Sequence, residues 1–297
     1  MSLSTDRPVA VVTGASSGIG RATARQLVEA GWQVIGVGRD PGRIAQATPE
    51  IEAAVAAPGN FTMLQADLSL LSDVKKLAGQ IAALTPRVDV LINNAGGMRD
   101  RRIMTAEGLE AVFATNHLAP FLLTRELKPL LDAAVAAAPA GAVRVIAVSS
   151  SGHRNSPGLD FDDLQGNAID LAPGTAYCHA KLANLLFTRE LVRRWGPDGI
   201  VAQAMHPGVV TTNFVTHADE GMRAWLATRE DMLSPDQPAE TLVWLATDPE
   251  GARGPGRYFH DKAEETPDAR ALDDTAAQRL WSESEKILTA HGYQVGS

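Results

Sequence analysis

The stretch TAYCHAKLANLLFTREL, residues 175–191, reads as a helix and places a tyrosine and a lysine four residues apart. Tyr177 and Lys181 therefore share one helix face. A free tyrosine titrates near ~10, too high for easy proton exchange at neutral pH. A lysine ammonium one turn away favours the tyrosinate and makes the phenol a usable proton donor. Alone, such a pair is an ordinary helix-surface pair, and its surroundings must decide. Near the start of the chain, VVTGASSGIGRA spaces Gly14, Gly18 and Gly20 as G-x-x-x-G-x-G, where an apolar run meets a helical pattern. Glycine there admits a tight turn and the close approach of a pyrophosphate. The helix start beyond it offers unpaired N–H groups and a positive dipole end to an anion.

These residues need elements to hold them. Apolar, β-branched runs occur at 9–14, 32–38, 61–67, 88–94, 143–150 and 200–208, with a short RYF at 257–259. Helical patterns lie at Gly18 to about Ala30, 70–84, 105–133, 175–195, 238–247 and 272–290. Strands that are apolar throughout are covered on both faces, and strands alternating with helices make a parallel sheet. The expected fold is α/β: a single Rossmann-type, doubly wound parallel sheet flanked by helices on both faces. No linker or composition break divides it, so residues 1–297 are expected to form one domain. Ligands of such sheets bind at the carboxyl ends of the strands, where the glycine loop lies.

An acid about 20 residues past the glycines usually holds the adenosine ribose. Here the second strand ends GVGRD, with Gly38 in the likely acid position and Arg39 after it. A guanidinium without that carboxylate favours a 2′-phosphate, so NADP(H) is the preferred cofactor. Asp40 leaves NAD(H) open, since a small shift in register would restore an acid. An aspartate in place of Gly38 is expected to repel the phosphate.

Composition narrows the rest. The chain has 297 residues, 45% of them hydrophobic, with a formal charge of −8 and one cysteine. An acidic chain with no Lys/Arg block argues against a nucleic-acid partner. A single Cys178 excludes an internal disulfide. Cys178 is expected on a different helix face from Tyr177, as a packed, unreactive thiol. His117, His153, His179 and His206 neighbour the motifs without ligand spacing, so no metal is expected. No signal-peptide core or membrane-spanning run is visible, which suits a cytoplasmic enzyme without a membrane partner. The sequence leaves a homo-oligomer open.

In order along the chain, TGASSGIG, NNAG (93–96), SS (149–150), YxxxK (Tyr177–Lys181) and PG (207–208) resemble the short-chain dehydrogenases/reductases. The likeness runs from the first strand to the last helix. The texture of TNHLAPFLLT and HPGVVTTNF is similar to the branch that includes the retinol dehydrogenases and the catalytic domain of the WW-domain oxidoreductase. The resemblance implies a catalytic set. Tyr177 is the acid/base and Ser150 hydrogen-bonds the substrate carbonyl. Lys181 binds the nicotinamide ribose and lowers the tyrosine pKa, and Asn116 kinks a helix and holds a relay water. It also implies cofactor contacts at Gly14, Ser16, Ser17, Gly18, Ile19, Gly20 and Arg39, at Asp67 and Leu68 beside the adenine, and at Asn94, Ala95 and Gly96 under the ribose. Pro207, Gly208, Val210 and Thr212 follow the nicotinamide and pyrophosphate.

The implied activity is NAD(P)-dependent interconversion of a carbonyl and an alcohol on a small molecule. A non-catalytic NADP(H)-binding redox sensor and a C=C reductase of the protochlorophyllide type are the alternatives. Two variable segments carry apolar side chains. Residues 152–174 offer Leu159, Phe161, Leu164, Ile169 and Leu171. Residues 213–234 offer Phe214, Met222, Trp225, Leu226 and Met232. The second is either a substrate lid, implying a mostly apolar substrate, or ordinary helix packing.

Overall fold

The computed structural model describes residues 7–54, 60–168, 171–211 and 220–294. Its strands are β1 (Val9–Thr13), β2 (Gln33–Gly38), β3 (Phe61–Gln65), β4 (Val90–Asn93), β5 (Arg144–Val148), β6 (Val201–Met205), β7 (Tyr258–His260) and β8 (Ala263–Glu265). They form one sheet in the order β3-β2-β1-β4-β5-β6-β7-β8. Every pair is parallel except β7 with β8. The chain winds outward from β1 through β2 to β3, then returns to β4 on the other side of β1. That reversal opens a crevice at the strand ends.

The helices are α1 (Gly18–Glu29), α2 (Pro41–Ala53), α3 (Leu71–Leu84), α4 (Ala111–Phe113), α5 (Ala119–Glu126), α6 (Lys128–Ala137), α7 (Pro173–Trp195), α8 (Glu220–Ala227), α9 (Asp236–Thr247), α10 (Pro249–Ala252) and α11 (Asp274–Ala290). Alternate strand residues feed opposite cores. Val9, Val11 and Leu91 pack with Leu77 and Ile81 of α3, Phe121 of α5 and Phe187 of α7. Ala10, Val12 and Ile92 pack with Leu27 of α1 and Leu242 of α9. This two-sided burial is why the strands read as continuous apolar runs. Each fully buried Val or Leu contributes about 1.5–3 kcal/mol. A charge at Val11, at 0% exposure between two layers, would break the sheet centre.

Three of the departures from expectation have a clear local cause. Helix α2 carries little apolar periodicity, because its buried stripe is only Ala47 and Ile51. Its start depends instead on Asp40, whose side chain accepts from Arg43 N, and on Pro41 in the first turn. The expected helix 105–133 is divided. Met104 and Glu110 bridge, Glu110 caps α4, a π-helical turn spans Ala114–Leu118, and α5 and α6 follow. Strand β8, with sequence AEE, has no apolar alternation. It is made by a tight turn in which Asp261 and Lys262 both take positive φ, as a two-residue hairpin requires.

Candidate active site

A cleft of about 750 Å³ runs along the carboxyl ends of β1 to β6. Gly14, Ser16, Ser17, Gly18, Ile19, Gly20, Arg39, Asp67, Leu68, Asn94, Ala95, Gly96, Ser150, Tyr177, Lys181, Pro207, Gly208 and Val210 all line it. Thr212, Phe214 and Ile169 lie outside the described residues. Asn116 stands behind the wall rather than in it.

The glycine loop delivers the start of α1 to the cleft. Gly20 must lack a side chain, since a Cβ there would lie 2.3 Å from Gly14 O. Ser17 occupies the N-cap but makes no side-chain capping bond, and the first turn holds no acid. Helices α2, α10 and α11 instead satisfy their first N–H groups with Asp40, Asp248 and Asp273. An unfilled helix start inside a cleft fits a pyrophosphate, the anion a dinucleotide would bring.

At the end of β2, Arg39 is exposed on the cleft wall and Asp40 is committed to Arg43 N at 2.8 Å. Arg43 and Arg99 also line the cleft, and in the sequence nothing distinguishes them from surface charge. Burial and the nearby Arg39 both disfavour the charge on Arg99. Gly38 has a packing reason as well as an electrostatic one. A Cβ there would meet Ser16 Cβ and Ile44 Cγ1 at 2.8 Å. An aspartate at 38 would therefore displace the glycine loop before it could repel anything.

The other end of the cleft is built from β5, a 3₁₀ turn at Ser151–Asn155, and α7. Ser150 caps the 3₁₀ turn, its Oγ accepting from Gly152 N at 3.0 Å, which leaves its proton to donate. It hydrogen-bonds Tyr177. Lys181 is 4% exposed, with Nζ donating to Val148 O at 2.9 Å and lying 5.5 Å from the Tyr177 ring centroid. Burial lowers its pKa to about 8. Burial also pushes the Tyr177 phenol up to about 12, with the Ser150 bond acting the other way. The expected lowering of the tyrosine by Lys181 is thus not seen among the protein's own side chains, because the ammonium is turned to the Val148 carbonyl and desolvation dominates.

Asn116 sits in the π turn. Its Nδ2 donates to Val112 O at 2.8 Å and Gly97 O at 2.9 Å, and its Oδ1 accepts from Gly97 N at 3.0 Å. A π turn shifts the backbone bonds by one residue. The side chain satisfies Val112 O and ties the NNAG loop to the helix. A Cβ on Gly96 would fall 2.3 Å from Asn116 Oδ1, which is why that loop needs glycine there.

The two variable segments do different things. Leu159, Phe161 and Leu164 pack on a core of Leu182, Leu186, Ala277 and Leu280. Met222, Trp225 and Leu226 of α8 line the cleft. Cys178 also lines it, contrary to expectation. A Cβ added to Gly152 would lie 3.6 Å from both Cys178 Sγ and Tyr177 Cε1, so the two neighbouring side chains border the same stretch of the cleft. Burial raises the thiol pKa and keeps it protonated. Among the described residues no three His, Cys, Asp or Glu side chains converge as a metal-ligand set, and no helix is long and apolar enough to cross a membrane.

A family model described as short chain dehydrogenase matches residues 8–160. The chain is 35% identical to retinol dehydrogenase 14 of Homo sapiens over 294 residues, covering 94% of this chain and 85% of the relative. It is 36% identical to polyprenol dehydrogenase of Mus musculus over 292 residues, covering 96% and 84%. Among solved structures, the NADP active-site complex of Pseudomonas aeruginosa RhlG is similar with a TM-score of 0.68 and 26% identity, covering 87% of this chain and 95% of that one.

Proposed function

We propose that this chain, which belongs to the short-chain dehydrogenase family and is retinol-dehydrogenase-like within it, interconverts a carbonyl and an alcohol on a mostly apolar small molecule with NADP(H). Oxidoreductase chemistry on such a pair with a nicotinamide dinucleotide follows from the membership. The finer reading rests on one observation: Ser150, Tyr177 and Lys181 meet in the same cleft as the unfilled start of α1.

The nicotinamide, when bound, gives or takes the hydride. The chain's residues do the rest. Ser150, its Oγ already accepting from Gly152 N, donates to the carbonyl oxygen and stabilises charge developing there. Tyr177 gives that oxygen its proton, completing the alcohol, and regains one from solvent. A phenol kept protonated by burial is in the state that reduction needs. Lys181, as an ammonium, offers donors to the ribose and positive charge to the tyrosinate formed. Asn116 braces the NNAG loop and acts as a positioning residue.

Ser16 to Gly20 cradle the pyrophosphate, and Asp67, Leu68, Asn94, Ala95 and Gly96 flank the adenosine. Arg39, with Arg43 and Arg99 also lining the cleft and Asp40 committed to its helix cap, favours a 2′-phosphate. The apolar side chains of α8 favour an apolar substrate, and two relatives are named for retinol and polyprenol. A panel of ketones, aldehydes and alcohols, from short polar to long isoprenoid, read by cofactor absorbance with NADPH and NADH, tests the reading. Turnover of apolar carbonyls with NADPH is expected. Tight cofactor binding with no turnover on any member would turn the reading to a sensor.

A further inference from the structure

Behind the Pro207–Gly208 turn lies a cluster that the proposed chemistry does not use. His206, at the end of β6, is 7% exposed, and its backbone N donates to Phe259 O of β7 at 2.9 Å. Its ring makes two polar contacts. Gly208 N donates to Nδ1 at 3.3 Å, and Nε2 lies 3.2 Å from Glu265 Oε2 on β8. A nitrogen that accepts carries no proton, so the neutral ring must carry it on Nε2, facing the carboxylate. Glu265 thereby selects the one tautomer that can hold Gly208.

The rest of the turn is also held. Gly208 has φ +75, and a Cβ on it would come within 3.0 Å of both His260 Cε1 and Leu233 Cδ1. Leu233 N donates to Val209 O at 2.8 Å, and Thr211 N donates to Leu233 O at 3.0 Å. Leu233 thus grips the later residues of the segment, and the grip on its first N–H comes from His206.

We infer that His206 is a positioning residue for the nicotinamide side of the cleft, its Glu265-selected tautomer holding the Gly208 N–H and with it the turn that borders the cofactor. The inference rests on the proposed contact between Pro207–Gly208 and the nicotinamide cofactor. It has a pH consequence. A proton on Nδ1 replaces the acceptor with a second donor facing Gly208 N–H, and the turn is released. The groups facing this ring are His260 and Tyr258 of β7, Glu265 of β8 and His153 of the 3₁₀ turn, with Arg154 of that turn beside Glu265. His260 stacks at 4.2 Å and 13°, Tyr258 lies 5.3 Å away centroid to centroid, and Arg154 is 3.7 Å from Glu265. Burial, His260 and His153 push protonation of His206 to lower pH, and Glu265 opposes them.

The test is cofactor binding, followed by fluorescence between about pH 5 and pH 8 for wild type, His206→Asn, His206→Gln and Glu265→Gln, with melting curves alongside. Asparagine Oδ1 can take the place of Nδ1; glutamine reaches the Nε2 position and leaves Gly208 without its acceptor. Wild type is expected to lose affinity on acidification. His206→Asn should bind near wild type at neutral pH without the acid limb. His206→Gln should weaken binding by about two- to tenfold at neutral pH, the worth of one hydrogen bond. Glu265→Gln should move the acid limb to lower pH. The losses should be equal for NADPH and NADH, since the adenosine phosphate is at the other end. A wild type that does not distinguish the two cofactors therefore sinks the NADP(H) preference and leaves this inference intact. Equal weakening by Asn and Gln, or lowered melting with unchanged affinity and pH profile, would overturn it.

Discussion

The two ends of the cleft solve different problems. The end proposed for the adenosine is made of backbone N–H groups, glycines and an exposed arginine on the short loops after β1 to β4. The end proposed for the chemistry carries side chains from α7 and the end of β6, with Lys181 and His206 buried and Tyr177 and Ser150 partly buried. An anion can be bound by unpaired N–H groups and by an exposed guanidinium such as Arg39, which gives up little hydration to do so. At the other end, burial displaces the pKa values of the groups proposed to move and stabilise the proton. Substitutions at the first end should change which cofactor binds and how tightly. Substitutions at the second should change the rate.

The division is tested hardest at Tyr177. Tyr177→Phe removes only the hydroxyl proposed as the proton donor and leaves the glycine loop untouched. General acid–base catalysis contributes about 10²–10⁴-fold, so kcat should fall on that scale while cofactor Kd stays near wild type. Stopped-flow turnover and cofactor titration on the same preparation measure both. A matching fall in affinity would erase the distinction between the two ends.

Lys181 shows what burial costs the reacting end. Its pKa is depressed from 10.5 to about 8, a displacement worth about 3 kcal/mol. Below pH ~8 the folded protein carries the full penalty of a buried ammonium. Between about 8 and 10.5 the unfolded chain binds the proton and the folded one does not, so stability rises with pH across that window. Lys181→Met should therefore be inactive yet more stable than wild type at neutral pH. Its advantage should shrink by about 3 kcal/mol towards pH 10.5. Denaturant titrations along that range would show it; a gap that does not vary with pH would mean that Lys181 is not charged at a cost.

At the other end, Arg39→Ala should weaken NADPH by about 10- to 150-fold, the worth of a hydrogen bond to a charged group, and leave NADH nearly unchanged. Its kcat at saturating cofactor should match wild type. Equal affinity of the wild type for both cofactors would return the role to Asp40. The structure argues against that by committing Asp40 to its helix cap.

The difference between the ends also explains what could be read without a structure. Backbone binding is local, so the runs around Gly14–Gly20 and Asn94–Gly96 announced themselves, as did Tyr177 with Lys181 one turn apart. The Gly208–His206–Glu265 contact joins residues 59 apart in sequence across two strands, and no spacing rule reaches it. Arg99 and Cys178 face the cleft because of how loops and helix curve, which periodicity does not encode. The π turn around Asn116 reads as plain helix, since its apolar pattern barely changes when one bond shifts register. Gly38 was legible as a missing acid, but its packing against Ser16 and Ile44 was not.

The smallest expected effect concerns substrate choice within the reacting end. Trp225 is 45% exposed, and with Met222 and Leu226 it forms an apolar wall. Phe161, in the other variable segment, packs instead on the core beside Leu280. The two aromatics should therefore report on different properties. Burying a large apolar side chain is worth about 1.5–3 kcal/mol, and Trp225 is already about half covered by the protein. A substrate can gain about 1 kcal/mol more, or roughly fivefold. Trp225→Ala should raise KM about fivefold for a long apolar carbonyl, leave a short polar ketone unaffected, and barely move the melting temperature. Phe161→Ala should do the reverse, lowering stability by a few kcal/mol at most (about 3–5 is the range for a fully buried Phe) with KM unchanged. Were Trp225→Ala to lower the melting temperature and leave both KM values alone, α8 would be packing rather than pocket, and the case for an apolar substrate would lose its structural support.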